Sequence, residues 1–211
     1  MSTYYGPRQT VVRYGPDVPA DDELRLVGPV AGLRVLELGS GPRSSAVAFA
    51  RQGAHTIVVE PSAERLSETR SLAEDHELKA EWHHGEMSDL AFLRGDSVDL
   101  AFSAGTVPEV ADLGRLFRQV HRVLKPGGHF VFSYDHPAAS LASGRSYFDT
   151  SPFTVEVNGV EVEHHPLSLA DVFTLLARTG FRTEVLAEPP PVMGSTAYPS
   201  TVIWKARKEG V

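Results

Sequence analysis

Short apolar segments alternate with helical patterns along most of this chain. The predicted strands, rich in apolar and β-branched residues, span residues 33–38, 55–60, 80–84, 98–103 and 129–134. Between the last two, residues 112–124 repeat apolar side chains at intervals of three and four, the spacing of an amphipathic helix. Strands separated by helices are joined by right-handed crossovers and form a parallel sheet with helices on both faces. The alternation therefore predicts an α/β fold.

Two stretches depart from this alternation. Residues 1–30 are polar and broken by glycine and proline, and we interpret them as a loose N-terminal arm with a short helix near 21–26. Residues 136–167 contain two alternating runs around Asn158 and Gly159, a pair that favours a β-hairpin. We expect this insertion to form part of a substrate pocket, although its aromatic residues can equally anchor the hairpin to the sheet.

The end of the chain returns to regular elements. A helix at residues 169–179 precedes two strands, at 181–186 and 201–206. Because no long helix separates these strands, we expect them to pair antiparallel. We find no internal repeat and no low-complexity segment, and interpret residues 1–211 as one domain.

Composition argues against some functions. The formal net charge of −7 disfavours a nucleic-acid partner, because such proteins present a basic surface. No apolar run reaches the ~18 residues of a membrane span, and the N-terminus has no hydrophobic signal core. The chain has no cysteine, which excludes disulfides and thiolate chemistry. We expect a cytoplasmic protein of unknown oligomeric state.

The segment VLELGSGPRSS, residues 35–45, places a glycine turn directly after the first predicted strand. Glu60 ends the second strand, where its carboxylate can accept hydrogen bonds from the two hydroxyls of a ribose. This unit favours an adenosine-containing cofactor; a plain tight turn beside an acid is the alternative. Glu37 suits a ligand with cationic groups, such as the ammonium and sulfonium of S-adenosylmethionine. Arg43, at the position of a common third glycine, either faces solvent or pairs with the methionine carboxylate.

A second motif, RVLKPGG at residues 122–128, is followed by HFVFSYDHP. On these motifs the chain resembles the class I S-adenosylmethionine-dependent methyltransferases, in particular their small-molecule, methyltransferase type 11-like members. The resemblance covers roughly residues 30–206. It implies a Rossmann-like sheet of seven mostly parallel strands in the order 3-2-1-4-5-7-6, with the last strand antiparallel. It also implies S-adenosylmethionine as the cofactor.

The resemblance further implies a set of cofactor-binding residues at the strand ends. Those expected around the methionine part are Glu37, Gly39, Ser40 and Gly41. Those expected around the ribose and adenine are Glu60, Pro61, Ser62, Gly85, Glu86 and Met87. Glu86 replaces the aspartate usual in the family and would accept a hydrogen bond from the adenine amino group. Ser103 and Ala104 would pass beneath the cofactor, and Tyr14 of the arm would close over its methionine end.

Methyl transfer from a sulfonium depends mainly on positioning, since the sulfonium already activates the methyl group. A base helps only when the acceptor is an un-ionised hydroxyl or an ammonium. His136, directly after the fifth strand, is the candidate catalytic residue; the alternative is a loop histidine bonded to backbone. His164 and His165 either roof the pocket or support the hairpin. No spacing of histidines and acids predicts a metal site.

The sequence thus predicts an enzyme that methylates oxygen, nitrogen or carbon of a small molecule, with neither nucleic acid nor membrane as a partner. Two alternatives stay open. One is an NAD-dependent oxidoreductase. The other is a catalytically silent protein of the same fold, acting in cofactor binding or as a scaffold, for which the missing glycine at Arg43 is the main support.

Overall fold

The computed structural model describes residues 10–40, 44–157, 160–192 and 197–210. Its strands are β1 (Arg34–Leu38), β2 (His55–Glu60), β3 (Ala80–His84), β4 (Val98–Ala104), β5 (Leu124–Asp135), β6 (Phe153–Val157), β7 (Val160–His164), β8 (Phe181–Ala187) and β9 (Thr201–Lys208). Its helices are α1 (Asp21–Leu24), α2 (Ala46–Arg51), α3 (Ala63–Asp75), α4 (Leu113–Val123) and α5 (Leu169–Arg178), with 3₁₀ helices at Val107–Glu109 and Pro137–Ser143. These bounds follow the prediction closely, except that β5 begins directly after α4.

Seven strands form one sheet in the order β3-β2-β1-β4-β5-β9-β8. The pairs among β1 to β5 are parallel, and β9 runs antiparallel to both of its neighbours. Because β6 and β7 form a separate two-stranded sheet, β8 and β9 are the sixth and seventh strands of the large one. The predicted α/β class, strand order and antiparallel last strand are therefore confirmed. Asn158 and Gly159, the predicted hairpin turn, lie outside the described residues.

Each face of the sheet carries its own buried cluster. On one face, apolar residues of α4 and α5 pack against β4, β5 and β9, with Phe117 meeting Phe130 and Phe132 edge to face. On the other, Phe49 of α2 packs against Phe102 of β4. Helices cover both faces, as an α/β fold requires.

The N-terminal segment is packed rather than loose, so that part of the sequence interpretation is wrong for the described residues 10–30. The side chains of Val12, Tyr14 and Val18 are buried in the cluster that contains α2. The Ser133 hydroxyl of β5 donates to the Tyr14 carbonyl (2.5 Å). This segment therefore completes the cover over the sheet beside α2.

The RVLKPGG string forms the junction between α4 and β5. The Arg122 guanidinium donates to two carbonyls of the loop between β3 and β4, Leu90 O (2.7 Å) and Leu93 O (2.9 Å). A Cβ on Gly128 would lie 2.9 Å from the Lys125 carbonyl, which explains why glycine is needed there. The string fixes how the chain enters β5, the strand whose far end borders the candidate site.

Replacing Arg122 with alanine is expected to lower the free energy of unfolding by about 2–3 kcal/mol, since two charge-assisted hydrogen bonds are lost. Arg115→Ala is the matched control on the same helix: its side chain is exposed and lies 3.9 Å from Asp89. That variant should lose less than about 1 kcal/mol. Urea unfolding of both measures the difference, and equal losses would contradict this role for Arg122.

Candidate active site

The glycine turn after β1 lies at the carboxyl edge of the sheet, where open parallel sheets bind their ligands. Gly39 has a positive φ of 82°, which favours glycine. A Cβ on Gly39 would lie 2.5 Å from the Thr106 Cβ, so the turn passes directly against the loop after β4. The Thr106 hydroxyl donates to the Leu38 carbonyl (2.6 Å) and fixes this contact. The turn is thus held in place and leaves no room for a side chain.

Glu37 of β1 is fully buried beside the start of α2. Its carboxylate accepts hydrogen bonds from the Ser45 N–H (2.6 Å) and the Ser44 hydroxyl (2.9 Å). Desolvation by burial raises the pKa of Glu37 to about 8, and these hydrogen bonds only partly oppose it. No lysine, arginine or histidine within the described residues forms an ion pair with Glu37. A cationic ligand would therefore favour its ionised form.

Glu60, at the end of β2, is also fully buried but is heavily hydrogen-bonded. Its Oε1 accepts from Arg65 Nε (2.9 Å), Arg65 Nη2 (2.7 Å) and the Ser62 N–H (2.7 Å). Its Oε2 accepts from the Ser40 N–H (2.6 Å) and, over a longer distance, from the Ser40 hydroxyl (3.4 Å). With Oε1 already accepting three N–H groups, Oε2 is the oxygen that has capacity for a ribose hydroxyl.

Sequence reasoning missed Arg65, which pairs with Glu60 and also donates to Glu109 at Nη1 (3.0 Å) and Nη2 (2.7 Å). The two carboxylates together hold the guanidinium firmly charged and raise the pKa of Arg65 despite the desolvation that burial imposes. Glu109 belongs to the 3₁₀ helix after β4, so one buried ion network connects β2, α3 and that helix.

Helix α3 buries Arg65 because its inner face is polar. The helix begins after Ser62, whose hydroxyl accepts from the Arg65 N–H (3.3 Å). Its buried residues Arg65, Thr69 and Ala73 follow the four-residue spacing of one helix face. The Thr69 hydroxyl donates to the Ser40 carbonyl (2.9 Å), so α3 supports the glycine turn. A helix that lacks an apolar stripe must pair its buried polar groups, and this was the signal available in the sequence.

Most of the other predicted cofactor residues lie at the same edge of the sheet. They are Pro61, Gly85, Glu86, Met87, Ser103 and Ala104. Glu86 is exposed after β3, whereas the Met87 side chain is buried in the core. The Ser103 hydroxyl shares a hydrogen bond with that of Thr106 (2.7 Å). Gly41 and Arg43 lie outside the described residues.

The Tyr14 side chain is fully buried in the core. Its ring centroid lies 5.9 Å from that of Phe102, and its hydroxyl donates to the Asp21 carboxylate. Burial raises the pKa of Tyr14 well above its usual range, so the phenol stays protonated. The contacts of Tyr14 therefore do not support the expectation that it closes over the methionine end of a cofactor.

A cavity of about 580 Å³ lies between the carboxyl edge of the sheet and the hairpin insertion. Its sheet side includes Ala104, Gly105, Thr106, Glu109, Tyr134 and Asp135. Its insertion side includes Arg145, Tyr147, Asp149, Phe153, Glu156 and His164. Arg145 is the only lysine or arginine among the described residues of the wall, and it pairs with Asp149 (3.0 Å). The wall therefore has aromatic surface, and its charged side chains are predominantly acidic.

His136 also lies on the cavity wall, with 6% of its surface exposed. Its Nδ1 accepts from the Ala138 N–H (3.0 Å) and so caps the 3₁₀ helix Pro137–Ser143. This bond puts the proton on Nε2, which lies 2.6 Å from Glu188 Oε1. With both ring nitrogens engaged, the geometry matches the loop-histidine alternative and does not support His136 as a base.

Comparison with known proteins bears on this site. A family model described as a methyltransferase domain matches residues 36–132. A demethylmenaquinone methyltransferase of Clavibacter sepedonicus is 36% identical over 108 residues, which cover 51% of this chain and 43% of the relative. The crystal structure of an S-adenosylmethionine-dependent methyltransferase from Mesorhizobium loti matches with a TM-score of 0.71 at 25% identity, covering 89% of this chain and 96% of that one. In sequence and in fold, the chain is similar to the class I S-adenosylmethionine-dependent methyltransferases.

The chain is also 34% identical over 124 residues to an uncharacterized methyltransferase of Mycolicibacterium vanbaalenii, covering 54% of the chain and 48% of the relative. The chain spans about half the length of the curated relatives it matches. These findings confirm the predicted family, which is one of enzymes with S-adenosylmethionine as their cofactor.

The residues of this chain fit that cofactor. Glu37 offers a buried carboxyl group to the cationic ammonium and sulfonium, and Gly39 keeps the turn free of a side chain. In the described part of the chain, no three histidine or acidic side chains are grouped to hold a metal ion. Nor does that part contain a helix with the length and hydropathy of a membrane span.

Proposed function

We propose that this chain transfers a methyl group from S-adenosylmethionine to a small organic molecule bound in the cavity. The position of the cavity carries the proposal. Thr106 forms part of its wall and also packs against Gly39 in the glycine turn. A molecule in the cavity would therefore lie beside a cofactor held at that turn, with the hairpin insertion as the opposite wall.

On the cofactor side, the proposal assigns the methionine part to Glu37, Gly39 and Ser40, with Gly41 as a further contact. Oε2 of Glu60 accepts from one ribose hydroxyl, and Glu86 accepts from the adenine amino group. When bound, S-adenosylmethionine supplies a methyl group that its positive sulfur has already activated. The remaining task of the protein is to hold the acceptor in line with that methyl group and to exclude water.

On the acceptor side, we propose an uncharged or cationic aromatic molecule. Asp149 offsets the charge of Arg145, so the carboxylates of Asp135, Glu156 and Asp171 give the wall a net negative charge. This charge disfavours an acceptor with a carboxylate or phosphate. Tyr134, Tyr147 and Phe153 provide aromatic surface. The name of one relative, demethylmenaquinone methyltransferase, also denotes a small-molecule acceptor.

His136 positions the chain after β5 in this proposal, through its bonds to Ala138 and Glu188. An acceptor that reacts as a neutral amine needs no base from the protein. For an acceptor that does need one, His164 and His165 also lie on the cavity wall.

Calorimetric titration with S-adenosylhomocysteine and with NAD tests the cofactor half of the proposal. We expect saturable binding of S-adenosylhomocysteine and no heat from NAD. Binding of NAD alone would support an oxidoreductase instead. Failure to bind either form of the methyl-donor cofactor at millimolar concentration would support a catalytically silent protein.

Incubation with radiolabelled S-adenosylmethionine and a panel of phenols, aromatic amines and matched aromatic carboxylates tests the acceptor half. Label should pass to phenols or amines at least about tenfold faster than to the carboxylates, because each 1.4 kcal/mol of repulsion corresponds to a factor of about ten. Preferential methylation of the carboxylates would refute the assigned acceptor class while leaving methyl transfer itself in place.

A further inference from the structure

Arg65 connects the two halves of the candidate site. Its side chain is only 4% exposed, and its guanidinium lies 2.7 Å from Glu60 Oε1 and 2.7 Å from Glu109 Oε2. Glu60 stands at the proposed ribose position, whereas Glu109 lines the acceptor cavity. The buried Arg65 therefore pairs with one carboxylate at the proposed cofactor site and with another on the wall of the acceptor cavity.

We propose that Arg65 is a positioning residue that holds Glu60 ready for a ribose hydroxyl and makes cofactor affinity depend on Glu109. The inference rests on the proposed function. Arg65 Nε and Nη2 both donate to Oε1, so the carboxylate cannot rotate and Oε2 stays beside the Ser40 N–H. The planar fork of arginine makes this double contact, which the single ammonium of lysine does not reproduce.

The link to Glu109 acts through position. Arg65 donates two hydrogen bonds to Glu109, and these fix the far side of the guanidinium, which would otherwise be free to turn away from Glu60. When Glu109 is replaced by a neutral glutamine, Arg65 is held less firmly, and Glu60 is less well positioned for a ribose hydroxyl. A change on the cavity wall should therefore weaken cofactor binding.

Titration calorimetry with S-adenosylhomocysteine, and with its 2′,3′-dideoxy analogue, tests the proposal. Arg65→Met should lower the affinity for S-adenosylhomocysteine about tenfold and Arg65→Lys somewhat less, and Glu109→Gln about threefold. The double variant R65M/E109Q should bind no more weakly than R65M, because Glu109 acts through Arg65. None of these changes should affect binding of the dideoxy analogue, which has no ribose hydroxyl to offer.

Arg70→Met and Glu74→Gln are the matched controls. They disrupt an exposed ion pair on the same helix (2.8 Å) and should leave both affinities unchanged. If the wild-type protein does not bind S-adenosylhomocysteine, the proposed function itself fails. If it binds and E109Q binds equally well, or if the dideoxy analogue loses as much affinity as the natural ligand, the positioning role is refuted. Should R65M not fold, R65K and E109Q decide the question, because each keeps a hydrogen-bonding group in place.

Discussion

Glu37→Gln is expected to raise the free energy of unfolding by about 4–5 kcal/mol at pH 9 and to change it little at pH 5. Burial raises the pKa of Glu37 to about 8 in the folded chain, whereas the ordinary value is 4.5. Between these values the unfolded chain has released the proton that the folded chain still holds. The stability of the wild-type protein must therefore fall as the pH rises through this window, and glutamine, which does not titrate, removes that fall.

Urea unfolding at pH 5, 7 and 9 measures the effect. Glu81→Gln on β3 is the matched control, because the Glu81 side chain is well exposed at the surface. The difference in the free energy of unfolding between E37Q and the wild type should grow with pH. The difference between E81Q and the wild type should be the same at every pH. If the difference for E37Q also does not change with pH, Glu37 is already ionised in the folded state at neutral pH.

The same carboxyl group should make cofactor binding release protons. A ligand that brings an ammonium and a sulfonium beside Glu37 favours its ionised form, so affinity should increase as the pH approaches 8. Calorimetry at pH 7 in two buffers of different ionisation enthalpy should detect up to about one proton released per S-adenosylmethionine bound. E37Q should release none and bind about tenfold more weakly. Proton release that persists in E37Q would assign the titration to another group.

The sheet could be predicted because buried parallel strands appear as continuous apolar runs between helical patterns. β2 and β3 begin and end at the predicted residues, and the gap between β8 and β9 correctly indicated an antiparallel pair. The glycine turn could be located for a similar reason, since Gly39 combines a positive φ with a close approach that excludes any side chain. The apolar runs and the glycine of the turn can each be seen in a short stretch of sequence, whichever distant residues they contact in the fold.

The N-terminal packing left no such signal, and the polar inner face of α3 indicates that Arg65 needs a partner without indicating which residue it is. Val12, Tyr14 and Val18 pack over the sheet, but their spacing in the sequence follows neither a helical nor a strand pattern. The sequence therefore suggested a loose arm. Arg65 and Glu109 are 44 positions apart, and nothing in either segment indicates that the fold brings them together. Contacts of this kind are set by the docking of α3 and the 3₁₀ helix Val107–Glu109 onto the same sheet edge. They become visible only in three dimensions.

The last prediction concerns Gly39. Gly39→Ala is expected to lower the free energy of unfolding by about 2–5 kcal/mol and to abolish measurable binding of S-adenosylhomocysteine. A left-handed conformation costs alanine about 1–2 kcal/mol, and overpacking adds about 1–3 kcal/mol. The overpacking arises because the new Cβ would lie 2.5 Å from the Thr106 Cβ and closer still to the other Thr106 side-chain atoms. Thr106 cannot yield easily, since its hydroxyl is bonded to both Leu38 and Ser103.

Gly32→Ala separates the two causes. Gly32 has nearly the same φ, +77° against +82°, but no atom lies within 4 Å of its hypothetical Cβ. The G32A variant should therefore lose only the conformational part of the free energy of unfolding, about 1–2 kcal/mol, and should keep its affinity for S-adenosylhomocysteine. Adding Thr106→Gly to G39A should restore part of the lost stability, so that the double variant is more stable than the two single losses together predict. Equal losses in G39A and G32A, or strict additivity in the double variant, would mean that the contact between Gly39 and Thr106 does not shape this turn.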